Sequence, residues 1–178
     1  MKRIAIVGAG PTGIYTLDAL LKSEAPLSIS IYEQAEQAGV GMPYSDEENS
    51  RLMLANIASI EIPPIACTYL DWLRQQDEKR LARFGVAKRG LHDRQFLPRV
   101  LLGNYFRDQF LALVERAAER GFELAVHESC EVTDLEATAE GVALWADGAA
   151  VAGVFDLVVI ATGHVWPDED EATRSYFP

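Results

Sequence analysis

Apolar residues in the first third of the chain change from a short block to helical spacing and back to a short block. Residues 3–8 and 28–33 are short apolar runs, which predict β-strands. Residues 12–23 carry apolar side chains at helical spacing, namely Ile14, Leu17, Leu20 and Leu21. A strand, a helix and a second strand in this order predict a βαβ unit with parallel strands.

The middle of the chain combines a long irregular stretch with two helical patterns. Residues 34–66 are rich in glycine and proline, and connections of this length tend to be functional. Residues 68–84 predict a helix, with Thr68 and Asp71 at the spacing of a capping box. A second helix is predicted over residues 98–120, because it begins at a proline, keeps one apolar face and ends at a glycine.

The remainder has the pattern of strands. Short runs are predicted at 122–127, 130–137, 141–146 and 150–155. Asp147-Gly148 between the last two predicts a two-residue hairpin turn. The run 155–163 is apolar and β-branched and ends in Ala-Thr-Gly, which is typical of a central parallel strand that is buried on both faces.

The turn between the first strand and the first helix carries the candidate chemistry. Its glycines, Gly8, Gly10 and Gly13, follow the GxGxxG spacing, and Glu33 closes the second strand twenty positions later. In this arrangement the first glycine permits the turn, the second lets the backbone approach a pyrophosphate, and the third lets the helix lie close to the strand. The helix N-terminus would face the phosphates, and Glu33 would bind the ribose hydroxyls. A plain glycine turn is the alternative, but the flanking elements favour dinucleotide binding.

The amino-acid composition restricts the class of protein further. The 178 residues are 49% hydrophobic with a net charge of −11, as expected for one globular domain that does not bind nucleic acid. No apolar run reaches the roughly eighteen residues of a membrane span. Cys67, Cys130 and the three histidines are scattered, so we predict no metal site, small buried cysteines and a cytoplasmic location. The oligomeric state stays open.

Several short segments together resemble a known family. The GAGPTG turn, the acidic end of the second strand, the antiparallel excursion and the terminal ATG resemble the FAD-binding domain of glutathione-reductase-like flavoproteins. More narrowly, the chain from about residue 4 to residue 164 resembles the FAD-NAD(P)-binding domain family. The segments that carry this resemblance are Gly41-Met-Pro-Tyr44, Leu54-Ala-Asn56, Tyr69-Leu-Asp-Trp72-Leu, Leu97-Pro-Arg99, Gly103-Asn-Tyr105 and Ala161-Thr-Gly-His164.

The resemblance implies an α/β fold, namely a Rossmann-like doubly wound parallel sheet with an antiparallel β-meander. It also implies three groups of contacts with FAD. The ADP half would lie on the glycine turn and Glu33, with backbone groups of Cys130 and Val132 at the adenine. The backbone of the last strand would lie beside the phosphates, and Arg99 and the Gly41–Tyr44 loop would lie toward the flavin. The implied cofactor-binding residues are Gly8, Gly10, Pro11, Thr12, Gly13, Glu33, Gly41, Met42, Arg99, Val132, Ala161, Thr162 and Gly163.

Other interpretations of individual residues remain open. Arg99 is equally explained as a solvated residue in the first helical turn, and Tyr44 as a loop anchor. Asn56 is equally explained as a turn cap, whereas Trp72 is expected in the core. His164 follows the Thr-Gly turn with no visible partner, so no catalytic residue is assigned.

The function implied by the resemblance is that of an FAD-binding domain, over residues 1–165, in a flavin-dependent oxidoreductase that takes hydride from NAD(P)H. Similarity to N- and S-oxygenating monooxygenases is looser. Residues 166–178 are an acidic tail or the start of a downstream segment. No ribityl-binding Gly-Asp motif or second glycine turn occurs, so we expect either a fragment or a short member that holds FAD loosely and oxidises little NAD(P)H. The alternatives are a non-catalytic FAD- or NAD-binding module that acts through partners and, less favoured, an NAD-dependent dehydrogenase.

Overall fold

The computed structural model describes residues 1–47 and 49–163. Four parallel strands form the main sheet in the order β3-β2-β1-β7, and three antiparallel strands form a second sheet in the order β4-β5-β6. The strands are β1 Arg3–Val7, β2 Ser28–Tyr32, β3 Glu123–His127, β4 Val132–Thr138, β5 Gly141–Ala146, β6 Ala149–Ala150 and β7 Leu157–Ile160. The helices are α1 Pro11–Leu20, α2 Tyr69–Gln75, α3 Glu78–Ala82 and α4 Arg99–Glu119. The predicted Rossmann-like fold with a β-meander is confirmed.

The two faces of the main sheet pack against different partners. Helices α1 and α4 cover one face, where Ile6, Ile29 and Ile31 join the larger apolar cluster. The second sheet covers the other face through a smaller cluster of Ala5, Tyr32, Leu144 and Phe155. The strand alternation of period two therefore sends successive residues of β1 into two separate cores. None of the described helices is both long and apolar enough to cross a membrane.

The predicted helix over 68–84 is wrong as a single element. Thr68 caps α2 as expected, because its Oγ1 accepts from the Asp71 N–H at 3.1 Å. Gln76 is extended, however, and ends this helix. Asp77 then begins α3, since its side chain accepts from the Arg80 N–H at 2.7 Å. Asp is a strong N-cap residue, so the sequence contained a second helix start that the apolar periodicity concealed.

The meander is shorter than predicted at its third strand. Asp147 and Gly148 both have positive φ, of 50° and 75°, as a tight hairpin turn requires. Strand β6 then ends at Ala150, after which the Val151 N–H donates to the Leu144 carbonyl oxygen at 2.8 Å and an isolated bridge joins Val142 to Phe155. The predicted strand over 150–155 is therefore mostly a turn, with Gly153 at φ 77°.

Strand β7 lies at an edge of the described sheet. It pairs with β1 in parallel register, from Ile4 opposite Leu157 to Val7 opposite Ile160. Within the described residues it has no second neighbour, and both Leu157 and Ile160 are exposed. The sequence-based interpretation of a central strand buried on both faces is therefore wrong for this part of the chain.

Candidate functional site

The glycine turn connects β1 to α1 and packs on the residue that follows β7. Gly8 has φ 96°, a conformation that favours glycine, and its N–H donates to the Tyr32 carbonyl oxygen at 2.8 Å. A Cβ at Gly8 would overlap the carbonyl oxygen of Ala161. The Ala161 N–H donates in turn to Val7 at 2.7 Å. The carboxyl ends of three neighbouring strands therefore meet at this turn.

Gly13 and Gly10 are small for different reasons. A Cβ at Gly13 would overlap the Gly8 carbonyl oxygen, so only glycine lets α1 lie this close to the end of β1. Gly10 is the N-cap of α1 with φ −71°, and a Cβ there would lie 3.3 Å from the Cα of Gly41. A glycine at position 10 therefore serves to leave space and not to allow an unusual backbone conformation. No side chain caps the helix and no acidic residue stands in its first turn, in which Pro11 and Thr12 lie.

Glu33 is held at the end of the second strand by backbone donors. Its Oε2 accepts from the Ala9 N–H at 2.9 Å, and its Oε1 accepts from the Ala35 N–H at 3.0 Å. The side chain is half-buried. A carboxylate offers about four lone-pair positions, so two remain after these bonds. Glu33 is thus oriented by the glycine turn itself and keeps the capacity to accept from a diol.

The segment from residue 38 to residue 44 lies between the glycine turn and α4. The Gly39 N–H donates to the Ala9 carbonyl oxygen at 2.9 Å. Gly41 has φ 82°, and a Cβ there would lie 2.8 Å from Cδ of Pro11. On the other side, a Cβ at Gly103 of α4 would overlap the Tyr44 carbonyl oxygen. These close approaches bring Met42, at the start of a 3₁₀ turn over Met42–Tyr44, near the N-terminal end of α1.

Glu128 and Arg107 fasten this segment, and the sequence-based analysis missed both residues. Glu128 Oε1 accepts from the Ala38 N–H at 2.9 Å and from Arg107 at 2.8 Å. Arg107 also donates to the Ala38 carbonyl oxygen. The amide hydrogen bond from Ala38, followed by the Arg107 guanidinium, lowers the pKa of Glu128. A usable signal existed, because Glu128 directly follows β3 as Glu33 directly follows β2.

The remaining predicted site residues lie farther along the same edge or along α4. Arg99 begins α4, and its Nε lies 3.3 Å from the Leu54 carbonyl oxygen. Within the described residues it forms no ion pair. Val132 begins β4 and pairs with Ala146, and the Cys130 N–H already donates to the Glu33 carbonyl oxygen at 2.9 Å. That N–H is therefore engaged within the protein.

Several residues with alternative interpretations have defined surroundings. Trp72 is in the core, as expected, and its Nε1 donates to Asp108 at 2.8 Å. Tyr44 packs on Phe106 with ring centroids 5.5 Å apart, and Asn56 is exposed. Thr162 and Gly163 follow Ala161 and are exposed, the latter with φ 72°. His164 and the acidic tail lie outside the described residues.

The gathered groups suit binding better than acid–base chemistry. They are main-chain N–H groups, glycine surfaces and one oriented carboxylate. Among residues 1–47 and 49–163, no three His, Cys, Asp or Glu side chains are placed to hold a metal ion. Such a combination can accept hydrogen bonds from a diol at Glu33 and donate them to an anion at the N-terminus of α1.

The parallel sheet, the glycine turn at its carboxyl edge and the attached meander define a Rossmann-type nucleotide-binding domain. The sequence profile of the FAD-NAD(P)-binding family matches residues 5–165. The chain belongs to this family.

The chain is also similar to a curated relative and to solved structures. Uncharacterized protein YdhS of Escherichia coli (strain K12) is 68% identical over all 178 residues, which cover 33% of its length. The chain thus spans a third or less of the curated relatives it matches. Tmm from Pelagibacter sp. strain HTCC7211 superposes with a TM-score of 0.59 at 19% identity, over 92% of this chain and 36% of that one. L-lysine 6-monooxygenase from Pseudomonas syringae gives 0.50 at 13% identity, over 93% and 36%. At these identities the two structures show a shared fold.

Proposed function

We propose that this domain binds the ADP half of FAD and forms the cofactor-binding part of a flavin-dependent oxidoreductase that takes hydride from NAD(P)H. The observation that carries the proposal is the position of the Glu33 carboxylate. It is oriented by the Ala9 and Ala35 N–H groups, keeps two lone-pair positions, and stands beside the uncapped N-terminus of α1.

The residues present fit a dinucleotide from the adenosine side inward. Glu33 would accept hydrogen bonds from the ribose hydroxyls. The Cys130 N–H donates to the Glu33 carbonyl oxygen, and Val132, two residues farther along the chain, would lie beside the adenine. The pyrophosphate would face the N-terminus of α1, where Gly10 and Gly41 present no side chain. The backbone from Ala161 to Gly163 borders this space.

The flavin half would extend toward Met42 and Arg99. The segment over residues 38–44 supports FAD over a plain nicotinamide dinucleotide. Glycines allow this segment to lie close to both α1 and α4, where it could contact the flavin half. Arg99 supplies a guanidinium that no carboxylate neutralises within the described residues. When bound, FAD would supply the redox chemistry, while these residues would bind and orient it.

Nucleotide binding is tested with Glu33→Gln, compared with Glu36→Gln, an exposed glutamate on the same loop. Isothermal titration with ADP, FAD, NAD and NADP should show affinity falling about tenfold or more for Glu33→Gln, because hydrogen bonds to a charged group contribute about 1.5–3 kcal/mol. Glu36→Gln should leave affinity unchanged. NADP should bind worse than NAD, since the carboxylate repels a 2′-phosphate. Equal affinities in both variants, with intact circular dichroism, would exclude Glu33 as the ribose ligand.

The oxidoreductase role needs a separate measurement. Stopped-flow mixing of FAD-loaded protein with NADH or NADPH follows flavin bleaching directly. We expect negligible reduction of FAD held by these 178 residues and rapid reduction in the longer relative YdhS. If YdhS binds FAD but neither nicotinamide reduces it, the binding assignment stands and the non-catalytic alternative replaces the oxidoreductase.

A further inference from the structure

The main chain of Ala38 is completely buried and is bonded to two charged side chains from distant parts of the chain. The Ala38 N–H donates to Glu128 Oε1 at 2.9 Å, and the Ala38 carbonyl oxygen accepts from Arg107. Buried backbone groups almost always have hydrogen-bond partners, and here both partners are side chains and not a helix or a strand ladder. The position of residue 38 therefore depends on Arg107 and Glu128.

The same two side chains also bind each other. Arg107 donates to Glu128 at 2.8 Å, and the two side chains are 26% and 36% exposed. An ion pair this exposed contributes little to stability by itself. Its importance is geometric, because Arg107 lies within α4 and Glu128 directly follows β3. The next residue also packs on α4, since a Cβ at Gly39 would lie 2.7 Å from Cβ of Phe110. Residues 38 and 39 are thus held against two rigid elements.

The segment that leaves residue 38 reaches the N-terminal end of α1. The Gly39 N–H donates to the Ala9 carbonyl oxygen at 2.9 Å. A Cβ at Gly41 would lie 3.1 Å from the Cα of Gly10. A shift of residue 38 would therefore move Gly41 relative to Gly10 and change the space in which the cofactor would continue beyond its pyrophosphate.

Glu33 and Glu128 follow neighbouring strands but have different partners. The strands β2 and β3 that precede them are paired in parallel, so both glutamates lie at the carboxyl edge of the sheet. Glu33 accepts from the Ala9 N–H of the glycine turn, whereas Glu128 accepts from the Ala38 N–H. This difference favours a binding role for Glu33 and a positioning role for Glu128.

We propose that Arg107 and Glu128 are positioning residues that fix the segment over residues 38–44 for the flavin half of FAD without touching the cofactor themselves. The inference rests on the proposed function, because it concerns the same ligand. When the pair is intact, the segment is already held in place, and binding of FAD does not have to order it. The adenosine half would lie on Glu33, which other donors orient. Loss of the pair should therefore weaken the binding of FAD and leave the binding of ADP nearly unchanged.

Titration calorimetry with FAD and with ADP tests this difference in Arg107→Ala and Glu128→Ala. If the segment is correctly placed only about a tenth of the time in these variants, the affinity for FAD falls about tenfold, while the affinity for ADP should change less than about twofold. Glu128→Gln keeps an oxygen that can accept from the Ala38 N–H and should recover most of the affinity for FAD.

Arg116→Ala is the matched control. Arg116 also lies on α4 and pairs with a carboxylate, but its partner is Asp18 of α1, at 3.2 Å. This variant should change neither affinity. Arg107→Gln, which removes the charge and keeps most of the side-chain length, repeats the comparison if an alanine variant unfolds.

Hydrogen–deuterium exchange without ligand measures the segment itself. The peptide over residues 38–44 should exchange about tenfold faster in both alanine variants, and the β2 peptide over residues 28–32 should exchange equally in all proteins. The Arg107→Ala/Glu128→Ala double variant should resemble either single variant, because the two side chains act as one unit. Additive effects on FAD affinity would mean that they do not.

The outcomes separate this inference from the proposed function. A parent protein that binds neither FAD nor ADP would refute the proposed function and this inference with it. Binding of both ligands by the parent, with the affinity for FAD unchanged in the alanine variants, would overturn the positioning role alone. An equal loss of affinity for FAD and ADP would also overturn it, because a pair that only stabilises the fold would weaken both ligands alike.

Discussion

The glycine turn, residues 8–13, and the long connection, residues 42–66, would contact different parts of the proposed ligand, and they differ in how completely they are packed. In the glycine turn, Ala9 is 1% exposed, and Gly8 and Gly13 approach neighbouring backbone too closely for any side chain. In the long connection, Leu52 is 88% exposed and Met53, Leu54 and Ile60 are also exposed. The connection is attached to the rest of the domain where Gly103 approaches Tyr44, at the bridge from Leu54 to Pro98, and where the Tyr15 hydroxyl donates to the Pro63 carbonyl oxygen at 2.6 Å.

The glycine turn is therefore a preorganised part of the proposed site, whereas the long connection is a part whose apolar side chains are exposed. The described residues alone complete the contacts of the glycine turn, so its geometry is available before a ligand binds. The long connection keeps apolar side chains in water, which is expected where further polypeptide or a bound cofactor provides the cover. The following predictions, in decreasing order of effect, would break or sharpen this contrast.

The largest expected effect is on folding, from Gly13→Ala. The new Cβ would overlap the Gly8 carbonyl oxygen, and neither backbone segment can move without displacing α1 from the sheet. Overpacking typically costs about 1–3 kcal/mol, and we expect a clash between two backbone segments to lie at the upper end of this range or above it. Urea unfolding followed by circular dichroism measures the loss. Gly85→Ala, at φ 69° with open space around it, is the control for backbone strain alone and should cost only about 1–2 kcal/mol. Equal losses would mean that the glycine turn is not tightly packed.

The second prediction separates binding from folding at Gly10. Alanine is allowed at φ −71°, and its Cβ would lie 3.3 Å from Gly41, so we expect the free energy of unfolding to fall by only about 1 kcal/mol. Affinity for ADP or FAD should fall more than tenfold, because the new methyl group at position 10 would stand next to Gly41, in the space that would face the pyrophosphate. Titration calorimetry and urea unfolding on the same preparation measure both quantities. Full retention of nucleotide by Gly10→Ala would show that this turn does not hold phosphates.

The contrast also marks how far the sequence could be interpreted. The β1–α1–β2 unit was predictable because each element is short, strongly patterned and contiguous, and Gly8 and Gly13 have the roles that their spacing indicated. The division between α2 and α3 was missed because apolar periodicity runs through it and only the Asp77 cap marks the break. Contacts such as Glu128 with Ala38 join positions 90 residues apart, which local patterns do not report.

Edge position was the other property that pattern alone could not give. The apolar residues of β7 correctly indicated a parallel strand in the main sheet. Whether such a strand has one neighbour or two depends on which other segments of the chain pair with it. The composition of a strand indicates which environment would stabilise it, but not how many neighbours it has. The exposure of Leu157 and Ile160 therefore became apparent only in three dimensions.

The third prediction concerns the pH dependence of the hydrogen bond that Glu128 accepts from the Ala38 N–H. The pKa of Glu128 is lowered in the folded protein, so its contribution to stability is present above the unfolded pKa of about 4.3 and is lost as the pH falls through the folded pKa. Glu128→Gln should therefore cost about 1 kcal/mol at pH 7 and become indistinguishable from the parent protein at strongly acidic pH. Urea unfolding across this range measures the difference. A difference that persists in acid would assign the loss to packing and not to charge.

The smallest expected effect is in the long connection. Leu52→Ala removes a side chain that is almost entirely in water, so the free energy of unfolding should change by less than about 0.5 kcal/mol. Leu17→Ala is the matched change on α1, where the side chain is completely buried, and should cost about 2–5 kcal/mol. Thermal and urea unfolding of the two variants therefore compare the same atoms removed from the two regions. A loss for Leu52→Ala that approaches that for Leu17→Ala would mean that the connection is already covered in solution. If FAD then raises the Tm of the parent protein more than that of Leu52→Ala, while ADP raises both equally, the cover over this connection is the flavin half of the cofactor.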